Sequence, residues 1–233
     1  MVQHASVELG EIVDGAELVI LAMPIHHMAS VVSQMKFPGA GPLITDVGSV
    51  KGCVQRDLSP LSRERGARFL GSHPMAGSEK TGIAYAEADL FEDATVILTP
   101  DEATSEDDFA RLSTFWEQLG GRVSTLSPEK HDETVAAISH LPHLVASALI
   151  RSAMGEDPGV AQFCGGGFRD TTRVSAGPAE MWAGILSENH EALGKSLGNL
   201  IEELQTWKEV LDTLDTDRLQ RFLSQSQDLR NSI

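Results

Sequence analysis

Residues 17–24 (ELVILAMP) and 42–47 (PLITDV) are continuous apolar runs rich in β-branched and aliphatic side chains. A run without polar alternation reads as a strand buried on both faces, the kind found inside parallel sheets. Between the two runs, from Met28 to Met35, apolar residues recur at helical spacing. Strand, crossover helix, strand is the grammar of a parallel α/β sheet, because parallel neighbours can be joined only through a long return connection. Further short strands are expected at 68–72, 94–99 and 122–126. A helix over 106–119, apolar at Phe109, Leu112, Trp116 and Leu119, precedes the last of them. The sheet-bearing part therefore spans residues 1–126.

From Ser127 the pattern changes. SPEKHDE supplies a capping serine, proline at the first helical position and acids in the first turn, each favourable at a helix N-terminus. A long helix is expected to about Met154, then a Gly-rich loop at 164–167, then a helix opened by Pro178. The apolar side of that helix runs Trp182, Ile185, Leu186, Leu193, Leu197, Ile201, Leu204, Trp207 and Leu211 over roughly eight turns. So long a stripe in a helical domain of residues 127–233 exceeds what one small core covers, and a homodimer is expected.

The formal charge of −16 argues against nucleic-acid or anionic-membrane partners, since the long-range field repels polyphosphate. The longest apolar runs are far shorter than a bilayer span, and a cytoplasmic protein is expected. Cys53 and Cys164 lack metal-site spacing and read as packing residues. A small anion would have to be captured by local cations, which draws attention to each arginine in a Gly-rich setting.

Four segments carry candidate chemistry. FLGSHPMAGSEKTG (69–82) sets His73 at the C-terminal end of an expected strand, where ligand sites of open α/β sheets lie. TDVGSVK (45–51) ends another strand in a turn bearing Ser49 and opens a helix near Lys51. Its backbone NH groups could meet an anion, or Ser49 could simply cap the helix. In AAISHLPHLVASAL (136–149), Ser139 and His143 are four apart and share one helical face. Pro142 between them clashes with the Ile138 carbonyl and must bend or open the helix. A buried ligand could satisfy these polar groups, or solvent and the loosened backbone could; the residues alone leave both open. CGGGFRDTTR (164–173) joins three glycines to Arg169, Asp170 and Arg173, and a guanidinium can grip a carboxylate through two parallel hydrogen bonds.

In this order and at these distances the four segments resemble the prephenate/arogenate dehydrogenase family, and HPMAGSEK, SHLPH and GGGFRDTTR carry most of the likeness. The resemblance implies NAD(P)-dependent oxidation of a cyclohexadienyl alcohol, prephenate or arogenate, with loss of the ring carboxylate. It matches His73 to the catalytic base and Ser49 to the serine that orients the reacting hydroxyl. Arg173 matches the arginine that holds a substrate carboxylate, and Ser139, His143 and Gly166 match positions around the ring. Trp182 matches a tryptophan that reaches a neighbouring subunit's site, with core packing as its plainer role. Glu79 and Asp170 match an ionic gate. Cofactor contacts are implied for Met23, Pro24 and Ile25 and for Asp46 and Gly48.

No G-x-G-x-x-G occurs in these residues, and 16 residues precede Glu17 where a βαβ unit takes roughly 30. The expectation is a shortened chain: a partial Rossmann-type parallel sheet domain lacking its first βαβ unit, followed by an all-helical substrate-binding and dimerisation domain. The competing reading is a catalytically inactive protein derived from that family that keeps a pocket for tyrosine or its aromatic precursor. A β-hydroxyacid-type dehydrogenase of the same two-domain plan would not combine HPMAGSEK with GGGFRDTTR.

Overall fold

The structure is a computed structural model that describes residues 4–37, 39, 41–77, 82–155 and 157–232. After a short helix, α1 (Leu9–Val13), the chain forms β1 (Leu18–Leu21), α2 (Ile25–Gln34) and β2 (Leu43–Asp46). The two strands are parallel, with Leu18 opposite Leu43 and Leu21 opposite Asp46, and α2 is the crossover between them. It starts a turn earlier than the apolar spacing indicates, directly after Pro24 at the N-cap position. All four residues of β2 are buried, as its composition requires. In β1, by contrast, Ile20 is exposed, because β1 is the outermost strand of its sheet among the described residues.

Next come α3 (Gly52–Glu64), β3 (Arg68–Phe69) and β4 (Gly71–Pro74). β3 pairs in parallel with β2. Only Leu70 separates β3 from β4, and its amide donates to the Ile44 carbonyl at 3.0 Å, so they behave as one strand. β4 pairs with β5 (Thr95–Thr99), which in turn pairs in parallel with β6 (Arg122–Thr125) across α4 (Glu106–Gln118). The β4–β5 pair is antiparallel, a departure from the all-parallel expectation. The described part of its connection holds only a 3-10 turn at Ile83–Tyr85 and no crossover helix, and the chain re-enters beside the strand it left, running the opposite way.

Each face of the sheet has its own core. Met28, Val32, Val54 and Leu58 from α2 and α3 pack with Ile44 on one side. Leu112 and Trp116 from α4 pack with Leu70, Val96 and Leu98 on the other. Helices on both faces make this a doubly wound α/β unit.

The helical part opens with α5 (Pro128–Val135), whose Ser127 cap accepts from the Lys130 amide at 3.1 Å. A π-helical turn at Ala136–His140 leads into α6 (Leu141–Met154), and the Leu141 amide reaches back five residues to the Ala136 carbonyl. That turn is the bend Pro142 imposes. Taken as one, Pro128–Met154 is long and apolar enough by length and composition to cross a membrane. However, it carries the buried His131, His140 and His143, which bond to other parts of the protein.

Then follow α7 (Gly166–Thr172), a 3-10 turn at Arg173–Ala176, α8 (Ala179–Glu188), α9 (His190–Thr213) and α10 (Thr216–Arg230). Two expectations need correction. The Gly-rich segment is no loop beyond Gly165, because Gly166 and Gly167 already form the first turn of α7. The long apolar helix is interrupted at Asn189 (φ −106°, ψ 26°) between α8 and α9. Ile185 and Leu193 beside the break are buried, whereas Ile201, Leu204 and Leu211 further along are exposed. Ile185 and Trp182 also join the α2–α3 core, which locks the helical part against the sheet.

Candidate active site

His73 lies on β4 at the edge of the sheet where β1 and β2 also end, and only 8% of its surface is exposed. Its Nδ1 sits 2.8 Å from Nε2 of His131, a fully buried residue in the first turn of α5. His131 Nδ1 is in turn 2.8 Å from Oδ1 of Asp132. The same carboxylate accepts the backbone amides of Lys51 and Gly52, each at 2.8 Å, where α3 begins. The anion that meets the N-terminus of α3 is therefore the protein's own Asp132, not a Ser49 cap and not a ligand.

Beneath His73 lies a buried ion pair of Lys51 and Asp46, both side chains fully enclosed. Lys51 Nζ also donates to the Ser72 carbonyl at 2.8 Å. Burial lowers the Lys51 pKa against the opposing pull of Asp46. Lys51 and the Gly48 amide, at 2.8 Å, both bond to Oδ2 of the buried Asp46, and its Oδ1 is buried without a partner. Burial, and after it the positive charge of Lys51, holds His73 well below an ordinary histidine pKa, so its imidazole is neutral at neutral pH.

A second cluster forms on α6 and α8. Trp182 stacks on His143 at 3.6 Å between ring centroids and 12° between planes, and meets His140 edge-on at 6.2 Å. A β-carbon on Gly177 would stand 2.5 Å from Trp182 Nε1, so only glycine lets the chain pass there. His143 bonds to the backbone of Val174, next to Arg173. The turn bearing Arg173 is thereby fastened to the helix bearing His143. Burial brings the His140 pKa down to about 4, and its Nδ1 lies 3.0 Å from the Asn189 amide, which also donates to the Asp132 carbonyl at 2.9 Å. The second cluster thus connects to the first through Asn189.

Ser49 is half-buried in the β2–α3 turn, and Ser139 is half-buried on the π-helical turn. Gly166 and Asp170 are exposed on α7, and Arg173 is exposed directly after it. Glu79 lies outside the described residues. Met23, Pro24 and Ile25 lead into α2, and a β-carbon on Gly48 would come within 3.2 Å of Ile25 Cγ1, so the two expected cofactor loops touch. A β-carbon there would also stand 2.9 Å from Asp46 Oδ2, so this is a closely packed corner, beside the C-terminal ends of the parallel strands where ligands of such sheets bind. The Gly-rich turn that cradles a dinucleotide's pyrophosphate is not among these residues.

Sequence reasoning missed His131, Asp132, Lys51, His140 and Asn189. Asp132 follows the first turn of a capped helix, whose own first-turn acid is Glu129. There Asp132 reads as a partner for its own helix end, whereas its carboxylate serves the end of another helix 80 residues away in sequence.

Fold and site define an α/β protein of the two-domain dehydrogenase plan, with a neutral histidine at a strand end facing a helical domain. A family model described as "Prephenate dehydrogenase, nucleotide-binding domain" matches residues 3–125, and one described as "Prephenate dehydrogenase, dimerization domain" matches residues 127–225. The chain belongs to the prephenate dehydrogenase family. It is 34% identical to the cyclohexadienyl dehydrogenase of Zymomonas mobilis over 96% of its own length and 77% of that protein's. It is 33% identical to the prephenate dehydrogenase of Bacillus subtilis over 94% of its length and 60% of that protein's. The crystal structure of prephenate dehydrogenase from A. aeolicus in complex with hydroxyphenyl propionate and NAD+ superposes with a TM-score of 0.89 at 31% identity, covering 97% of this chain and 79% of that one.

Proposed function

We propose that the chain is an NAD(P)-dependent dehydrogenase that oxidises and decarboxylates prephenate or arogenate, with His73 as the base, and that it acts as a cytoplasmic homodimer. Membership in the family supports the reaction. The observation that carries the site assignment is the buried, neutral His73, whose Nδ1 is engaged by His131 and whose Nε2 is the nitrogen left for a substrate. The homodimer reading rests on the dimerization-domain match and on the exposed Ile201, Leu204 and Leu211 of α9.

When bound, NAD(P)+ supplies the hydride acceptor, and Met23, Pro24, Ile25 and the backbone around Gly48 would hold its ring end. His73 takes the proton of the ring hydroxyl while hydride leaves the same carbon. The bond from the ring to its carboxylate then breaks, its electron pair enters the ring, and carbon dioxide leaves an aromatic product. Ser49 orients the hydroxyl and Arg173 holds a carboxylate. Ser139, His143 and Gly166 border the ring, with Trp182 fixing the His143 plane. Asp170, exposed on α7, belongs to the ionic gate that the family resemblance implies.

The test is a dehydrogenase assay of the chain with each substrate and each cofactor, beside His73→Asn. Loss of a general base costs about 10²–10⁴-fold in kcat, with substrate binding kept. An undiminished kcat in His73→Asn sinks the assignment.

A further inference from the structure

We infer that Asp132 and His131 are positioning residues that hold His73 in the tautomer with its proton on Nδ1, so that the first turn of the helical domain presents Nε2 of His73 as the basic nitrogen. The inference rests on His73 being the base.

Each link forces the next. An ionised carboxylate can only accept, so His131 must donate from Nδ1 to Asp132 across 2.8 Å. A neutral imidazole carries one NH, which leaves Nε2 of His131 as a lone pair. That lone pair faces Nδ1 of His73 at 2.8 Å, and His73 must therefore donate. The opposite tautomer of His73 would set two lone pairs against each other in a place water does not reach, since His131 is fully buried.

The start of the chain of bonds is itself fixed. The Asp132 carboxylate is held by the amides of Lys51 and Gly52, and its carbonyl by Asn189. Charge in the reaction follows the same line. Once Nε2 has taken the hydroxyl proton, His73 is an imidazolium, and its Nδ1–H bond to His131 becomes charge-assisted, with the Asp132 carboxylate one ring beyond. No proton needs to leave Nδ1.

The direct test is two-bond 1H–15N correlation of the 15N-histidine-labelled full chain at pH 8, where the His73 spectrum is expected to show the Nδ1–H tautomer. In His131→Phe, with no acceptor left, His73 is expected to shift toward Nε2–H. Its kcat should fall about 10–100-fold with KM for the substrate little changed, the size of effect met when the hydrogen-bond partner behind a metal-ligating histidine is lost. His131→Gln, whose amide oxygen can accept from Nδ1, should restore the tautomer and much of the rate. A wild-type His73 in the Nε2–H form, or a His131→Phe enzyme with wild-type kcat, overturns the inference. If His73→Asn keeps full activity while the spectrum shows Nδ1–H, the base assignment fails and the relay stands.

Discussion

At the scale of single residues the proposed site separates His73, the group assigned the proton transfer, from the groups that hold it in place. The position of His73 at a strand end was legible in the sequence, and the structure places it on β4. His131 was not legible, because nothing local distinguishes a buried partner from a surface residue in a helix's first turn. Asp46 and Gly48 were read together as cofactor contacts, yet the Asp46 carboxylate belongs to Lys51. Arg173 is the cation expected to bind substrate carboxylate. Hydrogen bonds to charged groups are worth about 1.5–3 kcal/mol, so Arg173→Ala should raise KM for the substrate roughly 10–100-fold. Arg173→Lys should recover only part of that, because an ammonium cannot form the two-pronged contact. Steady-state kinetics with the cofactor saturating checks this, and an unchanged KM in Arg173→Ala removes Arg173 from the site.

At the scale of elements, periodicity and capping chemistry located most helices and strands. Ser127 and Pro128 start α5 where the capping signal stands, and Pro142 produces the π-helical turn it requires. The misses share one cause, which is long-range contact. Apolar spacing runs through Asn189 as if one helix continued, but its buried amide is needed by the Asp132 carbonyl and by His140, and the helix breaks to supply it. Opposing terms decide what Asn189→Ala would do. Alanine gains a few tenths of a kcal/mol in helix propensity, whereas leaving buried polar groups unpaired costs about 1–3 kcal/mol. The expected outcome is a lower urea midpoint with an unchanged slope. A variant as stable as wild type would mean that the amide is dispensable and that the break between α8 and α9 has another origin.

At the scale of the whole molecule, the helical part presses a cluster of histidines against the sheet and keeps them neutral. His73, His140 and His143 all have pKa values lowered from 6.5, with burial the leading cause in each, and His140 comes down to about 4. Unfolded histidines bind protons near pH 6.5, so below that value the unfolded chain holds protons the folded one refuses. Stability therefore rises with pH across this range and is lost as pH falls from above 6.5 toward about 4. For His140 alone, moving from 6.5 to about 4 corresponds to roughly 3 kcal/mol. Asp101, whose pKa is lowered from 3.8 by the side-chain hydrogen bonds of Ser59, Thr104 and Gln55 that outweigh burial, contributes its loss only at lower pH still. Urea midpoints should be level above pH 7 and fall steadily between pH 6.5 and 4, with a shallower fall in His140→Gln, which removes one of the groups. A midpoint that stays level down to pH 4.5 would mean the cluster takes up protons without unfolding, and a neutral His73 would lose its support.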